Sequence, residues 1–264
     1  MTALRFGFSP CPNDTFAFHA LAHGLVEAPF RVEPVLLDIE ELNRRAHRGE
    51  LELTKLSFGA AASLGERYRL LSSGAALGYG CGPLLVAGRE MELAEAAAGP
   101  IAVPGLETTA FLLLRHFAPE LGEVVELRYD LIVGAVERGE AAVGLIIHES
   151  RFSYREHGLV QVCDLGELWE RETGLPVPLA GIHARADLDD GTRAAAEGAI
   201  RASVEFAFAH PEASGDYVRA NAQELSEEIR RAHIDLYVNE LSIDLGERGR
   251  RAIESLTRLA LASS

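Results

Sequence analysis

LRFGFSPCPNDTFAFHALAH, residues 4–23, opens the chain with a change of period. Leu4, Phe6 and Phe8 alternate with Arg5 and Gly7, the two-residue rhythm of a β-strand, and a helix is expected at about 15–23. Between them lies Ser9-Pro10-Cys11-Pro12-Asn13-Asp14-Thr15, where two prolines stiffen a loop and polar residues open the helix. A strand that passes through a stiff loop into a helix is the first half of a βαβ unit.

The rhythm repeats outward from this stretch. Strands are expected at 32–37 and 51–55, with helices at 39–48 and from Ser57. Residues 69–88 are extended segments broken by Gly74, Gly78, Gly80, Gly82 and Gly88, a place for the chain to cross into a second lobe. Strands then follow at 101–103, 124–129, 142–147 and 159–163, with helices at 107–117, 130–138 and 165–172. Leu175 to Pro178 marks a return crossing, and helices at 189–209, 211–221, 226–238 and 246–261 are expected to pack on the first lobe. Alternating strands and helices predict an α/β fold with a largely parallel sheet. Two crossings predict a large discontinuous α/β lobe from 1–88 and 176–264 and a smaller one from 89–175. This is the layout of two-lobed, periplasmic-binding-protein-like (type 2) folds, in which a ligand sits in an interlobe cleft.

Composition narrows the partners. A net charge of -15 repels polyphosphate backbones, which excludes nucleic acid as an expected partner. No apolar run reaches the roughly 18 residues of a membrane span. Met1 to Pro10 lacks a basic segment followed by an apolar one, so a cytoplasmic location is expected. Three widely spaced cysteines, Cys11, Cys81 and Cys163, fit buried small hydrophobes better than a disulfide framework or structural zinc site. The G-x-x-x-x-G-K-[ST], G-x-G-x-x-G and G-x-S-x-G patterns are missing, which argues against nucleotide hydrolysis, dinucleotide redox chemistry and serine-hydrolase chemistry.

In open sheets, ligands gather beyond the carboxyl ends of strands. Four such positions stand out. Ser9, Asn13 and Asp14 lie in the loop that opens the first helix, where free backbone N–H groups suit an anion; capping by Asp14 or Thr15 accounts for those two residues equally well. Thr54-Lys55-Leu56-Ser57 ends the third strand, and of 25 basic residues Lys55 alone is a lysine. A compact ammonium kept where arginine is otherwise universal points to a point-charge contact, while Ser57 also reads as an ordinary N-cap. Thr108 and Thr109 place two hydroxyls at a helix start, with capping again an alternative for Thr108. His148 closes the run Val143-Gly144-Leu145-Ile146-Ile147 and is the candidate general base, since an imidazole takes a proton near neutral pH. His47, His116, His210 and His233 fall within or at the ends of helices and read as surface or capping residues. His19 and His23 have a metal-capable spacing but no third ligand, so no metal is expected.

Together these segments resemble the 1,4-dihydroxy-6-naphthoate synthase family of the futalosine route to menaquinone, nearly end to end. The carriers are Gly7-Phe8-Ser9-Pro10-Cys11-Pro12-Asn13-Asp14-Thr15-Phe16, Leu53-Thr54-Lys55-Leu56-Ser57, Val103-Pro104-Gly105 with Thr108-Thr109, and Gly144-Leu145-Ile146-Ile147-His148-Glu149-Ser150-Arg151-Phe152. The resemblance implies a lyase that breaks a carbon-carbon bond of cyclic dehypoxanthinyl futalosine without a cofactor. It further implies that Lys55, Leu56, Ser57, Thr108 and Thr109 bind this small anionic substrate and that His148 accepts a proton. Two alternatives stay open: an intracellular binding or sensor protein of the same fold, and the sibling enzyme chorismate dehydratase, against which the proline-cysteine-proline opening argues.

Overall fold

A computed structural model describes residues 3–223 and 226–262. Among the described residues the strands are, in chain order, β1 (Ala3–Phe8), β2 (Arg31–Leu36), β3 (Leu53–Ser57), β4 (Tyr68–Leu70), β5 (Ala76–Gly78), β6 (Leu84–Ala87), β7 (Ile101–Val103), β8 (Val124–Glu126), β9 (Val143–Ile146), β10 (Val160–Asp164) and β11 (Val177–Arg185). They form two sheets. One has the order β2-β1-β3-β11-β4 with β5 also on β11, and the other β10-β6-β9-β7-β8.

In the first sheet β1 lies parallel to β2 and β3, with Phe6 opposite both Pro34 and Leu53. The loops that leave β1 and β3 therefore emerge at the same sheet edge, which is what brings Ser9–Asp14 and Lys55–Ser57 together. The sheets are mixed, not largely parallel as expected. Strand β11 runs antiparallel to β3, β4 and β5, and β6 runs antiparallel to β9 and β10. The cause lies at the crossings. The segment expected only as a return connection around Leu175–Pro178 continues as a nine-residue strand, which enters its sheet from the opposite end. Gly82 and Gly166, the latter in the first turn of the helix Leu165–Thr173, pass backbone against backbone; a Cβ on Gly82 would lie 2.3 Å from the Gly166 Cα, so only glycine permits that approach.

The helix Pro12–Ala22 starts with proline in the first turn, where no N–H is needed. Its Phe18 ring stacks edge-on against Phe6 and Phe8 at 5.1 and 5.4 Å. All three are fully buried, and each contributes roughly 1.5–3 kcal/mol of apolar burial. The C-terminal helix Asp190–Ala209 packs on the same helix. Ser203 fastens the pair, its hydroxyl donating to the Ala17 carbonyl at 2.8 Å and accepting from Leu21 N at 3.1 Å.

Two further boundaries differ from expectation, and the first shapes the site. Strand β8 stops at Glu126 and the chain turns through a short helix at Tyr129–Leu131. That turn sets the Tyr129 ring at 4.9 Å, edge to face, on His148. The helix expected at 211–221 forms only over Gly215–Asn221. No helix among the described residues is long and apolar enough to cross a membrane.

Candidate active site

Between the sheets lies a cavity of about 60 Å³ whose lining includes Ser9, Asn13, Lys55, Ser57, Thr108, Thr109, His148 and Tyr237. The strand ends thus converge as expected, but the side chains divide into two groups.

The first group is satisfied from within except at Asn13 Oδ1, which lacks a partner. The Asp14 carboxylate accepts from Ser9 N at 3.0 Å, from the Ser9 hydroxyl at 2.7 Å and from the Asn13 amide at 2.8 Å, and it forms a buried ion pair with Lys55. Asp14 does not line the cavity. Its expected contact with substrate is corrected to that of a buried counter-ion, and the reason is electrostatic: an ammonium out of water needs a partner charge. Lys55 has three N–H donors and spends one here, leaving others for the cleft. Strand alternation turns the Leu56 side chain to the other face of β3, where it packs with Ala46, Leu64 and Tyr68. This leaves its backbone as the part that could meet a ligand.

Ser57, Thr108 and Thr109 reach the cavity with their hydroxyls already engaged. Ser57 Oγ caps its helix by accepting from Ala60 N at 3.2 Å and donates to the Glu107 carbonyl at 2.7 Å. Thr108 Oγ1 accepts from Phe111 N at 3.1 Å and donates to Gly105 O at 2.8 Å. Thr109 Oγ1 donates to Leu179 O at 2.8 Å and accepts from Gly59 N at 3.1 Å. The capping alternatives foreseen for these residues are present, and two of the three also fasten the segment after β7 to the first sheet. More ties follow along the same rim. Glu107 N donates to Glu40 Oε1 at 3.3 Å, His47 Nε2 lies 2.7 Å from Glu107 Oε1, and Arg44 pairs with Glu126.

The second group gathers on the other wall. His148 follows β9 directly and has φ = 56°, the one positive φ outside glycine among the described residues. A left-handed backbone costs an ordinary residue roughly 1–2 kcal/mol, and here it turns the imidazole back into the cleft. The residue keeps some exposed surface, yet its Nε2 is sealed from solvent and lacks a hydrogen-bond partner. Burial, and then the nearby Lys55 charge, lower its pKa to about 4, with Asp14 opposing. The imidazole is therefore neutral at physiological pH, the form a base requires. Cys11, His148 and Glu149 bring ligand-capable atoms within 4.8 Å of one another. Burial, followed by the charge of Glu149, raises the Cys11 thiol well above its usual range, so it is held as the protonated form, the weaker ligand and nucleophile.

The comparisons with known proteins bear on this constellation as a whole. The family model described as menaquinone biosynthesis matches residues 4–262. The chain belongs to the menaquinone biosynthesis family. It is 55% identical over 256 residues to a 1,4-dihydroxy-6-naphthoate synthase of Thermus thermophilus, covering 97% of this chain and 93% of that protein. It is 43% identical over 264 residues to a synthase of the same name from Streptomyces coelicolor, covering 98% and 93%. A solved structure from Archaeoglobus fulgidus superposes with a TM-score of 0.94 at 36% identity, covering 99% of this chain and 97% of that one. The periplasmic aliphatic sulphonate binding protein of Escherichia coli has a TM-score of 0.65 at 12% identity, covering 100% of this chain and 88% of that one, and shows the shared fold. This menaquinone-biosynthesis family member is thus an enzyme on the periplasmic-binding-protein-like fold, mixed α/β with two sheets.

In this family member Tyr129 and His233 escaped the sequence as site residues, while Glu149 belongs to the motif around His148. Tyr129 sits on His148 because β8 ends early, and Glu149 is buried beside it. His233, read as a surface residue, is 1% exposed and lies with its ring centroid 6.2 Å from that of His148. Its helix Glu227–Tyr237 buries Arg230, His233 and Tyr237, a stripe at helical spacing that could have flagged it.

Proposed function

We propose that the protein is a cytoplasmic 1,4-dihydroxy-6-naphthoate synthase, a carbon-carbon lyase that breaks cyclic dehypoxanthinyl futalosine and releases 1,4-dihydroxy-6-naphthoate. His148 is the proton acceptor. The observation that carries the mechanism is its buried, unpartnered Nε2 at the cleft, on an imidazole kept neutral by burial and by Lys55. A base that is already neutral and already desolvated needs no reorganisation before it takes a proton. The remaining N–H groups of Lys55, the Ser9 and Asn13 loop, and the helix starts at Pro12 and Thr109 suit the carboxylate and hydroxyls of a small anion. Ser57 and Thr108 complete that wall. Loss of the proton leads to fragmentation, and aromatisation of the new ring drives it.

The test incubates purified protein and its His148→Ala variant with cyclic dehypoxanthinyl futalosine and follows 1,4-dihydroxy-6-naphthoate by mass spectrometry. The parent makes product, and the variant is slower by about 100-fold to 10,000-fold, the usual contribution of a positioned base. Equal rates would remove His148 from the mechanism. A parent that binds the compound without turning it over would be a binding protein of the same fold, the activity class of the sulphonate-binding neighbour. Turnover of chorismate instead would make it the sibling dehydratase.

A further inference from the structure

Asn13 Oδ1 and His148 Nε2 are buried without partners at the cleft, and both ring nitrogens of His233 are buried without partners next to His148 and Tyr237, which line it. His233 comes from the helix Glu227–Tyr237 and packs its ring 4.5 Å from that of Tyr237, which lines the cavity, 6.2 Å from Phe152 and 6.2 Å from His148. As a space-filling aromatic it is a poor choice. A neutral imidazole always carries one N–H and one bare nitrogen, and a buried polar group left unpaired costs about 1–3 kcal/mol. Phenylalanine would fill the position without that cost.

Proton removal next to a carbonyl leaves negative charge on oxygen, and a site that performs it needs a donor aimed at that oxygen. On the opposite wall the hydroxyls of Ser57, Thr108 and Thr109 already donate to backbone carbonyls, and the N–H groups that Lys55 does not give to Asp14 serve the carboxylate and hydroxyls of the anion in the proposed function. The separation of the two imidazoles is too long for a direct hydrogen bond between them and suits two rings gripping neighbouring atoms of one ligand.

We propose that His233 is a second catalytic imidazole, which donates its N–H to the substrate oxygen beside the carbon that His148 deprotonates. This rests on the lyase function set out above. In the step, the C–H bond breaks and its proton passes to His148 Nε2. The electron pair forms a carbon-carbon double bond, and the carbonyl oxygen takes the negative charge. His233 keeps its proton and hydrogen-bonds that oxygen. The role calls for a neutral imidazole, and burial, with the Lys55 charge acting in the same sense, keeps His233 in that form.

The experiment measures turnover of cyclic dehypoxanthinyl futalosine by the parent, His233→Phe, His233→Leu and His233→Gln, with thermal unfolding of each. His233→Phe keeps the ring packing and removes the donor. Its kcat falls by about 100-fold to 1,000-fold, as for loss of one oxyanion donor, while KM moves by only a few-fold and the unfolding temperature holds or rises. His233→Leu loses rate likewise if the phenyl ring is not accommodated. His233→Gln, whose amide can donate, regains part of the loss. Parent-like turnover in a folded His233→Phe or His233→Leu overturns the inference and leaves the lyase reading standing. A parent without turnover overturns both.

Discussion

The two walls of the cleft are built on opposite terms. On the first, Asp14 collects Ser9, Asn13 and Lys55 into a polar network whose carboxylate is fully engaged, with Asn13 Oδ1 left over. On the second, His148 stands in a left-handed conformation with a buried nitrogen and no partner for it. A network that satisfies itself is a scaffold, rigid because every change leaves something unpaired. A strained residue with an unmet hydrogen bond lowers stability, and it persists where a ligand supplies what the fold withholds. The comparison teaches that the wall with more charge need not be the wall that performs the chemistry.

The largest stability effect should come from breaking the satisfied wall. Asp14→Ala strands the Lys55 ammonium in a buried site and should cost about 3–5 kcal/mol, read as a lower urea midpoint at an unchanged denaturant slope. Adding Lys55→Met removes the stranded charge and should restore most of that loss. If the double variant is no more stable than Asp14→Ala, the network is not electrostatic in origin.

Next in size is the response to acid. His148 and His183 both have pKa values lowered to about 4 by burial, against about 6.5 in an unfolded chain. Between those values the unfolded state binds more protons, so stability rises with pH there. It is fully present above about 6.5 and falls as pH drops towards 4, by on the order of 3 kcal/mol per histidine. Unfolding titrations at pH 7 and 4.5 measure the difference, and His148→Gln should flatten its share of the slope. The same shift places the acidic limb of kcat/KM near pH 4; a limb near 6.5 would mean that His148 is solvated in the free enzyme.

The smallest effect sharpens the contrast most. Asparagine tolerates the left-handed region better than histidine, so His148→Asn should hold or raise stability by up to about 1 kcal/mol while activity is lost. A clear loss of stability would place His148 with the scaffold wall instead.

Much of this was legible in the chain. The period change at Phe8, the prolines at 10 and 12, the lone Lys55 and the terminal position of His148 after β9 all marked the cleft, because strand ends are local features. The partners were not legible. The ion pair of Lys55 with Asp14 joins residues 41 apart, and nothing in either segment announces the other. The motif also hid that the Leu56 side chain faces away from the cleft, because a motif names consecutive residues while a strand presents alternate ones. His233 looked ordinary because its helix is polar on average; its packing against Phe152, with Tyr237 on the same face of the helix, reveals which face is dry.

The tightness of the cavity carries a consequence for timing. About 60 Å³ is far less than the several hundred that sites for drug-sized ligands enclose. In the proposed function a bicyclic carboxylate would enter as the ties from Glu40, Arg44 and His47 to Glu107 and Glu126 part. Those ties would then act as a latch, and its lifting would share the control of the rate with bond breaking.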